Sequence, residues 1–319
     1  MGPRVVVVGT GPMGARHALA FCQAVGAGQV AVACRDAGDQ ARVAQWGLGQ
    51  GVKTVPFGPE LAELFDLGVV AVQTARHHEV AMALPMPLLV EKPLAQTPAQ
   101  AEALANRPYR TFVGHSSCME AGAAPFHALV RQGRAGALRE VLVSVSEPAL
   151  CRGEAPLPMV AGRLYDVAVH AVALVADLFP SEPPLYAVGS LTARWGGVTG
   201  LRGEAVWWEQ PHLTLDIGTE LGESRSVMAS GAAGRVLWQV HPGATIVGFR
   251  SPDGQFESVP VGGPDPQVAL AREVLQALRT GEPSMLDAPH GLRTMETAGA
   301  LVAAAVRAAG EQWDWGWVG

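Results

Sequence analysis

Lysine is nearly missing from this chain. Of 23 basic residues among 319, only Lys53 and Lys92 are lysines and 21 are arginines. Arginine therefore supplies the general surface charge. A retained lysine is a candidate for work that arginine cannot do, such as releasing a proton, set against the plainer alternative of chance survival. Charge is sparse as well, at 16% of residues with a net −6. The absence of a basic run argues against nucleic acid as a partner, because phosphates must be met by clustered Lys and Arg. No segment approaches the ~18 uninterrupted apolar residues of a membrane span. The four cysteines are Cys22, Cys34, Cys118 and Cys151. Without an export signal they are expected to be reduced thiols of a cytoplasmic protein. Met1 to Arg4 lead straight into Val5–Val8, which is expected to be the first strand of a folded domain rather than part of a signal peptide. With 49% apolar residues, the chain can bury a sizeable core, and its length suits two domains.

The pattern of the chain changes near residue 115. Before it, strands are expected at Val5–Val8, Val30–Cys34, Thr54–Val55, Val69–Gln73, Leu88–Val90 and Thr111–Gly114. Helices are expected between them over 12–25, 39–46, 60–65, 78–84 and 99–106. Nearly continuous apolar strands alternating with helices indicate a parallel sheet covered on both faces. After it come helices over 125–132 and 165–178 and a strand over 141–146. Six strand-like segments then run between Leu185 and Phe249 with Gly, Pro and Asp in their turns, which suggests antiparallel pairing. Helical periodicity returns over 268–279 and 292–309.

Gly9, Gly11 and Gly14 follow the first strand and open a helix. This context suits dinucleotide binding: a tight turn, close approach of backbone to a pyrophosphate, and close helix–strand packing. The helix N-terminus offers free N–H groups to the phosphates. The second strand ends in Cys34-Arg35, where an acidic residue would bind the adenosine 2′-hydroxyl. A small residue followed by Arg favours a 2′-phosphate instead, hence NADP over NAD. Lys92, in Glu91-Lys92-Pro93, lies at the carboxyl end of a parallel strand, the edge where ligands bind in such sheets. Asp166 and His170 stand one helical turn apart on one face. A carboxylate beside an imidazole suits the latter to move a proton near neutral pH.

The glycine loop Gly9 to Gly14, then Glu91-Lys92-Pro93, then Asp166 and His170, resemble in this order the Gfo/Idh/MocA oxidoreductases, the relatives of glucose–fructose oxidoreductase and inositol dehydrogenase. Val113-Gly114 with Gly133, and Leu278 to Pro283 with Gly291, extend the resemblance over nearly the whole chain. It implies an α/β protein. Residues 1–115 would form a Rossmann doubly wound parallel sheet that binds the dinucleotide. Residues 116–319 would form an α+β substrate and oligomerisation domain with a large, mostly antiparallel sheet, its last helices free to pack back on the first domain. It also implies hydride transfer between a nicotinamide and a sugar, polyol or related hydroxyl carbon. His170 would take the hydroxyl proton, Asp166 would orient it, and Lys92 would hydrogen-bond the reacting oxygen, with Arg163 nearby on the substrate side. Thr10, Pro12 and Met13 in the loop, Thr74, Ala75 and His78 after the fourth strand, Glu91 with Lys92, and His115 complete the expected cofactor contacts. The chain departs from the family at Ala173, where a second Asp is common. It departs again at Ser117-Cys118-Met119, where an Arg-Arg-aromatic run is common, and in the short, proline-free loop Thr74 to His78. These departures leave the cofactor residues intact and make the substrate pocket atypical for the family, so a reductase of a non-sugar carbonyl or imine is one alternative. A non-catalytic dinucleotide sensor is the other.

The strands between Leu185 and Phe249 are expected to form one sheet with helix 165–178 on one face. Its other face is expected to carry Trp207 or Trp208, Leu213, Leu215 and Ile217 as an interface for a homodimer or a dimer of dimers. Trp207, Trp208 and the tail Trp313, Trp315 and Trp317 could otherwise stack on sugar rings. His77, His78 and His115 lack companion ligands nearby in sequence, so no metal is expected. Cys118 has no partner motif and reads as a plain thiol.

Overall fold

The computed structural model describes residues 2–47, 51–146, 157–180, 182–194, 197–207, 211–218, 224–241 and 243–310. The chain forms two compact units. One comprises residues up to Ser116 together with Pro264–Leu292, and the other Ser117–Gly263 together with Arg293 onward.

The first unit is built on six parallel strands: β1 (Val5–Val8), β2 (Val30–Cys34), β3 (Lys53–Pro56), β4 (Leu67–Val70), β5 (Leu88–Val90) and β6 (Thr111–Val113). Their order is β3-β2-β1-β4-β5-β6. All but β3 are buried at every residue, as apolar strands covered on both faces must be. The connecting helices are α1 (Pro12–Val25), α2 (Ala37–Ala44), α3 (Leu61–Leu64), α4 (His77–Met82) and α5 (Pro98–Ala105). Pro12 opens α1, where its fixed φ is pre-organised and its missing N–H costs nothing. Thr97 and Gln100 form a reciprocal capping box on α5. The order of strands reverses between β1 and β4, so the ligand crevice of an open parallel sheet is expected beyond their carboxyl ends.

The second unit opens with α6 (Ala123–Arg131), β7 (Leu138–Ser146) and α7 (Leu157–Ala173). The strands β8 (Tyr186–Arg194), β9 (Gly197–Val206), β10 (His212–Gly218), β11 (Ser224–Gly231), β12 (Gly234–His241), β13 (Ala244–Arg250) and β14 (Phe256–Val259) follow. They form one sheet with β7, in the order β14-β13-β12-β11-β7-β10-β9-β8. Pairing is antiparallel except between β7 and β10, which are parallel. α6 and α7 pack on one face.

The chain returns to the first unit through α8 (Pro266–Thr280), whose first N–H groups are capped by Asp265 and which packs on α1. Arg110 secures this return: it donates to both oxygens of Asp287 at 2.8 and 3.0 Å and to the carbonyl of Ala277 at 2.6 Å. The last helix, α9 (Ala288–Ala308), starts in the first unit and continues in the second. No described helix is long and apolar enough to cross a membrane.

Several local expectations change. α7 opens at Leu157 rather than Tyr165, and Ala176–Leu178 is a separate 3-10 turn. Gly162 thus lies inside the helix, where a glycine costs about 1 kcal/mol. Burial of Ala161, Leu164, Tyr165 and Ala168 offsets that cost. β14 escapes notice in sequence because Phe256–Val259 is a largely exposed edge segment. Leu213, Leu215 and Ile217 are at most 1% exposed and face the helices, not the open side. The period of two in a strand groups them on one face, but only the arrival of α7 decides which face is covered. The opposite face carries Leu142, Met228 and Leu237, half-buried and directly paired across β7, β11 and β12.

Candidate functional site

A cavity of about 450 Å³ opens at the carboxyl ends of β1, β2 and β4. Gly9, Thr10, Gly11, Pro12 and Met13 form one wall, with Ala33, Arg35, Asp39, Phe57, Ala71, Val72, Gln73, Arg76 and Val80 around them. Gly9 has φ 127° and sits against the Ala71 carbonyl, so no side chain fits there. A Cβ on Gly14 would run into the Gly9 carbonyl, which makes it the residue of close packing. A Cβ on Gly11 would meet nothing within 4 Å. The backbone there lies open to a ligand, and the start of α1 presents its N–H groups. Open glycine backbone, helix N-terminus and apolar walls at Phe57, Val72 and Val80 fit the pyrophosphate and adenine of a dinucleotide.

Arg35 lines the cavity mouth, but it is not alone. The Asp39 carboxylate accepts from the Arg35 amide and Nε at 3.0 Å each, from the Thr10 hydroxyl at 2.8 Å, and from Arg42. Hydrogen bonds from Arg35 hold this carboxyl well below the ordinary carboxylate range despite burial. Asp36, the acidic residue next to Arg35, caps α2 by accepting the Asp39 N–H at 2.8 Å. Cys34 does not line the cavity; its thiol turns back to the Val32 carbonyl. Thr74, Ala75, His78, Glu91, Lys92 and His115 do not line it either. Asp39, Phe57, Gln73 and Arg76 carry no such signal in the sequence. Gln73, expected within a strand, lies instead in the loop from Ala71 onward, because β4 ends at Val70.

Lys92 is half-buried after β5, and Lys53 is exposed on the edge strand β3. Glu91 is no surface partner for Lys92. It is 4% exposed, and its Oε1 meets Nε2 of buried His17 on α1 at 2.5 Å. Its Oε2 accepts the Lys92 backbone N–H at 3.0 Å. Burial pushes this carboxyl up, but His17 and Lys92 outweigh burial and leave it below its ordinary value. The Lys92–Pro93 peptide is cis. Buried His77 spans the carbonyls of Pro93 (2.9 Å) and Val72 (3.1 Å). His115 lies edge-on to His290, and burial, then His290 and Lys92, push its imidazole well below the ordinary value.

In the second unit Asp166 and His170 stand one turn apart on α7, both half-buried, while Arg163 is exposed. His170 Nδ1 lies 3.4 Å from the buried Ser117 hydroxyl. The Cys118 thiol donates to the Ala173 carbonyl at 3.3 Å, and burial pushes its pKa up to about 12, so it is a plain thiol. His127 reaches the Leu174 carbonyl at 2.9 Å. Ser117, Cys118 and His127 thus fasten the C-terminal end of α7. Trp207 is occupied by packing: it stacks on Phe179 at 4.6 Å and donates to the Glu182 carbonyl. Cys151, Trp208, Trp313, Trp315 and Trp317 lie outside the described residues. No cluster of three or more metal-ligating side chains occurs among the described residues.

The first unit thus has the Rossmann-type, doubly wound parallel fold. Residues 3–110 match the profile of the Gfo/Idh/MocA family, described as an oxidoreductase family with an NAD-binding Rossmann fold. The UDP-N-acetylglucosamine 3-dehydrogenase of Acidithiobacillus ferrooxidans is similar in structure, with TM-score 0.77 and 18% identity over 96% of this chain and 98% of that one. An NAD-binding oxidoreductase from Klebsiella pneumoniae has TM-score 0.80 at 14% identity, covering 96% and 97%. An Agrobacterium radiobacter oxidoreductase, solved with NAD+, L-tartaric acid and magnesium, has TM-score 0.76 at 14% identity, covering 99% of each. At such identities the likeness is one of fold. In sequence, no curated protein matches the chain.

Proposed function

We propose that the protein is a nicotinamide-dependent dehydrogenase or reductase acting on a hydroxyl or carbonyl carbon of a sugar, polyol or related small molecule, with NADP preferred to NAD. The observation that carries this is the glycine-walled cavity at the carboxyl edge of the parallel sheet, in the unit that also holds Lys92 after β5. The bound nicotinamide supplies the hydride acceptor or donor. In the oxidative direction His170 takes the hydroxyl proton, and Asp166 steadies the resulting imidazolium. Lys92 hydrogen-bonds the reacting oxygen, its backbone held by the buried Glu91, and Arg163 helps to bind substrate. Arg35 at the cavity mouth, with Asp36 committed to its helix cap, supports the preference for a 2′-phosphate. A reducing, cytoplasmic setting suits the free thiols of Cys22, Cys34 and Cys118. The half-buried Leu142, Met228 and Leu237 on the open sheet face suit a second copy of the chain, as a homodimer or a dimer of dimers.

The test is a screen of polyols, sugars, keto compounds and imines against both cofactors, followed at the absorbance of the reduced nicotinamide. Turnover with a polyol or sugar is expected. Turnover with only keto compounds or imines would move the substrate class, and none at all would favour a sensor. Separately, Arg35→Ala is expected to weaken NADPH binding by about tenfold or more and NADH far less, since a charge-assisted hydrogen bond contributes about 1.5–3 kcal/mol. Equal losses in calorimetry would remove Arg35 from cofactor selection.

A further inference from the structure

We propose that Asp39 is the positioning residue for cofactor selection: it clamps the Arg35 guanidinium, braced by Arg42, in the orientation that receives a 2′-phosphate on the adenosine ribose. The inference rests on the NADP preference proposed above.

An acidic side chain in the adenosine pocket of a Rossmann unit ordinarily accepts hydrogen bonds from ribose hydroxyls. Asp39 lines the cavity, so that role has to be weighed first. Its side chain is only 3% exposed. Oδ2 takes the Arg35 amide and Nε, and Oδ1 takes the Thr10 hydroxyl and Arg42. A carboxylate offers about four lone-pair sites, and the chain's own donors fill them. Asp39 therefore has no acceptor left for a ribose.

What it does instead is hold cations. Arg35 and Arg42 both bond the Asp39 carboxylate, and with Asp36 beside Arg35 the four charges balance, so what the network supplies is the direction of the guanidinium rather than a net charge. Arg42 also donates from Nε to the Thr10 hydroxyl at 3.1 Å, so the network joins the glycine loop, the end of β2 and α2. With its amide and Nε engaged by Asp39, Arg35 keeps its two Nη groups, which form no hydrogen bond among the described residues. A planar guanidinium held at Nε presents its remaining N–H groups in a fixed direction, which suits the planar, bidentate recognition of phosphate oxygens.

Three roles for Asp39 predict three different outcomes for Asp39→Asn. If it clamps Arg35, NADPH binding weakens roughly tenfold or more while NADH changes little. If it acts only as a nearby negative charge, NADPH binding tightens. If it reads the ribose, NADH loses more than NADPH. Calorimetric titration with NADPH and NADH, and with adenosine 2′- and 5′-monophosphates, distinguishes them without any need for turnover. Arg35→Lys is the companion variant, because it keeps the charge on an exposed side chain and removes the fork. It is expected to lose most of the NADPH preference, and it decides the matter if Asp39→Asn does not fold. Tighter NADPH binding, equal losses for both cofactors, a selective NADH loss, or an Arg35→Lys protein that keeps its preference would each overturn the clamp. A wild-type protein with no preference for NADPH would overturn the NADP proposal itself. A wild-type preference abolished by Arg35→Ala but untouched by Asp39→Asn and Arg35→Lys would overturn the clamp alone.

Discussion

The buried His17–Glu91 pair makes a quantitative claim about both stability and pH. In Glu91→Gln the side chain keeps its shape and loses its charge. Glu91 now accepts at both oxygens, from Lys92 N–H at 3.0 Å and opposite His17 Nε2 at 2.5 Å. A glutamine offers one oxygen and one NH2 group, so one of those contacts must face donor to donor or wait on a tautomer change. Leaving a buried group unsatisfied costs about 1–3 kcal/mol, and the lost charge assistance adds to it. A loss of about 2–4 kcal/mol at pH 7 is expected. At about 2–4 °C per kcal/mol for a domain of this size, the melting temperature should fall by roughly 5–15 °C. The pH dependence follows from the depressed folded-state pKa of Glu91. A carboxyl depressed on folding contributes fully above its unfolded value of ~4.3, and the contribution fades as pH falls through the lower folded value. The gap between wild type and Glu91→Gln should therefore stay constant from pH 7 to about pH 5 and narrow in more acidic solution. Thermal denaturation by circular dichroism across this range is the assay. A gap under about 0.5 kcal/mol at pH 7, or one that widens on acidification, would refute the role given to this pair.

Four further outcomes are expected. His170→Ala should lower turnover by roughly 10²–10⁴-fold with cofactor affinity nearly unchanged; Lys92→Arg should be nearly as damaging as Lys92→Ala, and near-native turnover of a folded Lys92→Arg protein would remove Lys92 from the chemistry. Gly14→Ala places a methyl group against the Gly9 carbonyl and should weaken both cofactors together in calorimetry, unlike the selective loss expected at Arg35. Met228→Glu, on the open sheet face, should yield monomers in analytical ultracentrifugation if that face joins two copies, and an unchanged sedimentation coefficient would place the interface elsewhere.

Local pattern is enough to read the Rossmann half of the fold. Val5–Val8, Val30–Cys34 and Leu88–Val90 are short apolar runs that suit only buried strands, and Pro12 after Gly11 marks a helix start within a residue. The glycine loop is legible because Gly9 and Gly14 answer steric demands that arise within a few residues or from the adjoining strand, while Gly11 leaves the backbone open between them. Burial of both faces by helices makes such a signal continuous and hard to mistake.

The polar framework is only partly legible, because several of its links join residues far apart in the chain. Thr10 meets Asp39, His17 meets Glu91, Ser117 meets His170, and Arg110 meets Asp287. Arg35 and Arg42 stand at helical spacing from Asp39, but nothing local shows that it is buried; packing α2 against the end of β2 is what buries it and brings Thr10 to it. The same holds for Leu213, Leu215 and Ile217. Alternation groups them correctly, but a strand's period of two is symmetric between its faces, and the side that turns inward is set by where the helix lands. Periodicity and turn chemistry act within a few residues, whereas desolvation and hydrogen-bond partnership depend on which distant segments the packed core brings together.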